Sequence, residues 1–152
     1  MAVIDFSAEV LVRCPPERAF DYFADYRHVA RVLDGVSRWE PLGTKTRGVG
    51  ARYGVEMVAL GLPLRNVLRL DRWQRPQEIG WVSESGPIKQ HGGFKFGKTG
   101  DGVRIKMRIA YEPPGSFVGA VVAGRLTGLV QRRLERALDR IRETLEDLDG
   151  QT

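Results

Sequence analysis

Few side chains in this chain of 152 residues combine reactive chemistry with apolar neighbours. Arg72 and Tyr53 do, each within a stretch where every second residue is apolar. That alternation is the signature of a half-buried strand, and it turns both residues toward the apolar face. A guanidinium there polarises a carbonyl or holds an enolate by charge, and a phenol supplies a proton. They are the catalytic candidates. Asn66, Ser83, Ser85 and Gln90 are also expected on that face, near the turns at 60–62 and 86–87. A buried unpaired charge is very costly, so Arg72 needs a partner, solvent or a ligand. Apolar walls with a few convergent polar groups are the anatomy of a small-molecule site. The competing reading is that these groups satisfy one another or the backbone.

Other motifs carry less. Gly92 to Thr99 matches the phosphate-loop pattern G-x-x-x-x-G-K-[ST], which works only as a strand-to-helix loop. Here Phe94 and Phe96 alternate as a strand, and Thr99-Gly100-Asp101-Gly102 turns into another one. His28 and His91 lie far apart, and no metal-ligand spacing exists. Cys14, the one cysteine, excludes an internal disulfide framework and reads as a small buried residue. No cofactor or metal is expected.

Composition sets outer bounds. The length fits one domain, placed at 1–149, large enough to bury a real core. Residues 1–12 lack the apolar segment of a secretory signal, so the expected location is cytoplasmic. The net charge is +5, with arginine supplying most of the 24 basic residues, which favours an acidic partner. Lys95 and Lys106 should pair across a hairpin on the outer face, with Lys89, Arg104 and Arg108 nearby. This basic strip suits anionic lipid headgroups or an acidic protein. Nucleic acid fits less well, because no aromatic residues interleave with it.

The elements that would position these groups are read from periodicity. Residues 3–13 alternate as a first strand, and Pro15-Pro16-Glu17 ends it and opens a helix to about Tyr26. A shorter helix is expected over His28–Leu33. Strands are expected near 36–42, 50–59, 63–73, 78–85, 88–97 and 103–112, joined by turns short enough to require an antiparallel meander. A turn at 60–62 sets Met57 opposite Asn66, Val55 opposite Leu68, Tyr53 opposite Leu70 and Arg52 opposite Asp71. Later turns set Leu70 opposite Trp81, Leu68 opposite Ser83, Trp81 opposite Gly92, Phe94 opposite Met107 and Phe96 opposite Ile105. A slip of one residue would invert a strand, and all these pairings agree on the apolar face. From Ser116 to about Leu148, apolar residues recur every three or four positions, the stripe of one long helix. Its first half, weakened by Gly119, Gly124 and Gly128, is apolar nearly all round, which suits the roof of an apolar cavity or an ordinary buried helix. About 14 apolar residues fall short of the ~20 that span a membrane.

This order of elements, the Cys14-Pro15-Pro16-Glu17-Arg18-Ala19-Phe20-Asp21-Tyr22-Phe23 segment, the Gly48-Val49-Gly50-Ala51-Arg52-Tyr53 strand start and the Pro113-Pro114-Gly115 lead into the last helix resemble the START-like, or Bet v 1-like, superfamily. The polyketide cyclase/dehydrase-like group is the most similar. The resemblance covers nearly the whole chain. It implies an α+β helix-grip fold, with a curved antiparallel sheet of about seven strands in the order β-αα-β6-α around the C-terminal helix. It also implies a cavity for an apolar molecule, lipid-, quinone- or polyketide-like. The expected lining is Tyr53, Met57, Asn66, Leu68, Leu70 and Arg72 from the first strands after the helix pair, Trp81, Ser83, Gln90, Phe94 and Met107 from the later ones, and Val122, Leu126 and Val130 from the long helix. Aromatase/cyclases of this kind use an arginine on the strand where Arg72 stands, and a tyrosine that falls here at Val36. Three readings result: a binder of a small hydrophobic molecule, a cyclase or dehydratase with Arg72 as electrostatic stabiliser, and an interaction module using the basic face.

Overall fold

Alternating stretches become seven strands: β1 (Ile4–Val12), β2 (Val36–Pro41), β3 (Arg52–Ala59), β4 (Leu62–Gln74), β5 (Glu78–Ser85), β6 (Lys89–Lys98) and β7 (Val103–Glu112). The helices are α1 (Pro16–Ala24), α2 (Tyr26–Val32) and α3 (Ala120–Gly150). The computed structural model describes residues 4–32, 34–59, 61–86, 89–112 and 120–150, and their side chains except at 4, 32, 59, 62, 120–127 and 148–150. The strands form one antiparallel sheet in the order β1-β7-β6-β5-β4-β3-β2. It is a curled half-barrel closed by a C-terminal helix, the α+β helix-grip fold.

Local sequence explains the elements. In β1, Phe6 and Val12 are buried while Asp5, Ser7 and Glu9 are exposed, so the period-two pattern maps onto the two faces. Pro15 caps α1 and Pro16 occupies its first turn, where a missing N–H costs nothing. Phe20 and Phe23, one helical turn apart, are buried against the sheet. On α3 the stripe Leu134, Ala137, Leu138, Ile141 and Leu145 is buried, whereas Glu135, Arg136, Asp139, Arg140, Arg142 and Glu143 are exposed. The helix packs chiefly on β1 and also meets β7 and α2. Arg140 Nη1 donates to Asp34 Oδ1 at 2.8 Å, and Arg133 Nη1 donates to the Val58 carbonyl at 3.0 Å. These bonds tie α3 to the α2–β2 connection and to β3. The expected helix residues 116–119 and the Pro113–Gly115 lead lie outside the described residues.

The registers of β5–β6 and β6–β7 are those the sequence predicts: Trp81 faces Gly92, and Phe94 faces Met107. A Cβ at Gly92 would lie 3.0 Å from Trp81 Cζ2, so the bare α-carbon makes room for the indole. The β3–β4 register is corrected by two residues. Met57 faces Leu64, Val55 faces Asn66, Tyr53 faces Leu68, and Arg52 faces Arg69 rather than Asp71. The turn is tighter than expected: Ala59 already pairs with Leu62, and Gly61 takes φ +79°, a left-handed conformation open to glycine. A shift of two preserves the faces. Glu84, which accepts from Arg52 Nε at 2.9 Å, takes the role expected of Asp71.

Two irregularities in β4–β5 alter the faces themselves. Leu70 pairs with Trp81 but Arg72 with Gly80, so Asp71 is an extra residue; Leu68 pairs with Ser83 but Val67 with Ser85, so Glu84 is another. A bulge reverses the facing of the residues beyond it. Arg72 and Ser85, expected inside, therefore stand on the outer face. Thr99 N–H donates to the Gly102 carbonyl at 2.9 Å as β6 turns into β7, so the phosphate-loop pattern leads into a strand, not a helix.

Candidate ligand site on the concave face

Aromatic side chains from seven elements converge where α1 and α2 cross the sheet. Phe23 stacks on Phe94 with ring centroids 4.2 Å apart, and Trp81 meets Phe94 edge-on at 5.7 Å. Trp39 from β2 lies 6.2 Å from Trp81, nearly perpendicular, and 5.8 Å from Tyr53. With Ala24, Tyr26, Val29, Leu70, Trp73 and Ile79 they line a partly open cavity of about 20 Å³, room for a single water.

The polar atoms here are few and telling. Trp39 Nε1, Trp81 Nε1 and Tyr111 Oη are buried and have no hydrogen-bond partner among the described residues. Tyr111 stacks on Phe6 at 5.6 Å, on the β1–β7 side of the same face. Tyr53 Oη, by contrast, donates to the Thr46 carbonyl. Burial pushes both phenols up from their ordinary 10.0, Tyr53 to about 12 and Tyr111 to about 12.

Toward the other end of the sheet the face is less closed. Met57, Leu64, Ser83 and Gln90 are half-buried there. Ser83 Oγ accepts from the Gln90 N–H at 2.9 Å, beyond the last β5–β6 pair at Val82 and His91. Asn66 is buried, and a Cβ at Gly86 would lie 2.1 Å from its Oδ1. The apolar wall is built and the polar groups are sparse, as a site for an apolar molecule requires.

The model of the polyketide cyclase/dehydrase and lipid transport family matches residues 3–146. The chain belongs to this family. Its members bind small hydrophobic molecules. Solved structures share the fold at low identity. A Thermus thermophilus protein is 22% identical with a TM-score of 0.81, over 98% of this chain and 100% of that one. The Zhui aromatase/cyclase from Streptomyces sp. R1128 is 13% identical with a TM-score of 0.74, over 95% and 94%. A START superfamily protein from Mycobacterium smegmatis is 15% identical with a TM-score of 0.72, over 94% and 98%. A search of curated proteins returns no match.

Against this family frame the expected site residues separate into groups. Tyr53, Leu70, Trp81 and Phe94 line one cavity. Leu68 and Met107 are buried in the surrounding core, and Val130 of α3 packs against it. Asn66, Ser83, Gln90 and Met57 belong to the more open end. The side chains of Val122 and Leu126 lie outside the described residues. Arg72 does not join them. Its Nη1 donates to Glu78 Oε2 at 2.8 Å and its Nη2 to the Gly92 carbonyl at 2.8 Å, both on the outer face. The two catalytic candidates thus stand on opposite sides of the sheet.

Sequence reasoning missed Trp39, Trp73, Tyr26 and Val29. Unbroken alternation from Val36 would turn Trp39 outward; the bulge between Val36 and Arg38 turns it inward. For Tyr26 and Val29 the signal existed: they continue the three-residue spacing of Phe20 and Phe23. Among the described residues no cluster of His, Cys, Asp or Glu could hold a metal ion, and no helix is long and apolar enough to cross a membrane.

Proposed function

We propose that this family member binds a small apolar molecule carrying hydrogen-bond acceptors, seated on the concave face between the sheet and α3. One observation carries the reading: two indole N–H groups and one phenol are buried among aromatic walls with no hydrogen-bond partner among the described residues. Each such group costs roughly 1–3 kcal/mol if left unsatisfied, and a ligand oxygen offsets that cost. The cavity between these rings has room only for a water, so the ligand extends toward the half-buried Met57, Leu64, Ser83 and Gln90. Quinones, polyketides and lipids with a carbonyl or ester oxygen fit this description.

Binding without chemistry is favoured over cyclisation. A cyclase needs its electrophile and proton donor on one face, but Arg72 points outward. Tyr53 is already bonded to Thr46 and holds its proton too tightly to serve as an acid near neutrality.

Organic extraction of the folded protein followed by mass spectrometry tests the reading. A co-purifying apolar compound near one equivalent is expected. A fatty acid, a naphthoquinone and an aromatic polyketide should then be compared for quenching of tryptophan fluorescence and for raising the melting temperature. Trp81→Phe, which deletes one N–H, should weaken the best of them roughly five- to tenfold. If nothing co-purifies and none of the three raises the melting temperature, the concave face is not a ligand site.

A further inference from the structure

The outer face of the sheet carries a second cleft, of about 410 Å³. Its floor is Gly93 of β6, and Arg72 covers the facing Gly80 of β5. A Cβ at Gly93 would lie 2.5 Å from the Ile79 carbonyl oxygen, so no side chain fits there, and one at Gly80 would lie 2.4 Å from the Arg72 guanidinium, which would have to shift. The bulge at Asp71 re-aims Arg72 over Gly80, beside this floor, a use to which bulges are often put.

The charges around the floor do not balance. Asp5 and Glu78 are both committed to guanidiniums: Arg108 Nε donates to Asp5 Oδ1 at 3.0 Å, and Arg72 Nη1 to Glu78 at 2.8 Å. Lys95 and Lys106 face each other directly across β6 and β7, and like charges so placed are destabilising. Glu78 is also the β5 neighbour of Lys95 but bonds Arg72 instead. Glu9 is the β1 neighbour of Lys106, yet neither lysine forms a salt bridge among the described residues. Two ammonium groups therefore flank a cleft whose glycine floor carries no side chain, with two guanidiniums held beside it by their carboxylates.

We propose that this cleft binds a phosphate group, with Lys95 and Lys106 as its primary cations and Arg108 and Arg72 at its edge. A phosphate supplies several acceptor oxygens and enough negative charge to relieve the lysine pair. The group comes either from a phospholipid headgroup at a bilayer surface or from a free phosphate. The proposal is independent of the concave-face site, because the two lie on opposite sides of the sheet.

Two measurements on the full chain test it. Melting temperatures are compared in chloride and in inorganic phosphate or pyrophosphate at equal ionic strength. Co-sedimentation is compared with vesicles of phosphatidylcholine alone and of phosphatidylcholine with phosphatidylglycerol. The variant Lys95→Gln/Lys106→Gln should melt above the natural protein in chloride, because the repulsion is gone, and should lose at least tenfold in response to phosphate or to the anionic vesicles. The control Lys45→Gln/Arg47→Gln removes as much charge elsewhere and should retain the response. A response to soluble phosphate assigns a free phosphate ligand, and a response to anionic vesicles alone assigns the headgroup. Absence of both responses in the natural protein, or equal loss in both variants, overturns the site.

Discussion

Burial moves the phenols of Tyr53 and Tyr111 out of the range where tyrosine exchanges protons near neutrality. Both are pushed up to about 12 from 10.0. The unfolded chain ionises near 10 and the folded one does not, so their contribution to stability is complete below pH 10. It is lost as pH rises toward about 12, with up to roughly 2–3 kcal/mol at stake for each. Ultraviolet tyrosinate titration should therefore show Tyr53 and Tyr111 ionising late, with Tyr22 also raised by burial, and with unfolding setting in above pH 10. Replacing Tyr111 with Phe should remove one late phenol and give a shallower alkaline loss. Which residues reach the interior was readable where alternation was unbroken, as for Leu68, Leu70, Trp81, Phe94 and Met107. It was not readable for Arg72, because the one-residue insertion at Asp71 is a property of the β4–β5 pairing. The composition of β4 alone carries no trace of it.

At the scale of elements, β4 and β5 decide which chemistry faces which side. Arg72 lies over Gly80 so closely that the two positions must be coupled. Gly80→Ala should cost about 1–3 kcal/mol by overpacking, and the same change in an Arg72→Ala background should cost distinctly less. A double-mutant cycle by urea denaturation measures that difference; additive costs would show that Arg72 does not rest on Gly80. The long helix was legible over its C-terminal half because charged residues mark its outer side. Its attachment was less so: that it lies chiefly on β1 depends on how the sheet curls.

At the scale of the molecule, exposed ion pairs join parts that are distant in sequence. Asp5 pairs with Arg108, Asp21 with Arg75 and Asp34 with Arg140. In each case the guanidinium hydrogen bond holds the carboxyl below its ordinary 3.8. A depressed folded-state value stabilises above the unfolded one and is lost as pH falls through and below about 4. Melting temperature should be nearly level between about pH 5 and 8 and fall below about 4. Each exposed pair contributes little and is screened by salt, so 1 M chloride should flatten the acid limb, as should Asp34→Asn in part. An acid limb indifferent to both would place the cause elsewhere. The sequence by itself determined the order of elements, the apolar face of nearly every strand and the family, because periodicity and short turns are local properties. Tertiary structure alone decided the β3–β4 register, the outward turn of Arg72 and Ser85, and the meeting of Trp39 with Trp81. Those depend on how one strand is paired against another, and a single inserted residue in that pairing reverses a face without altering the pattern from which it is read.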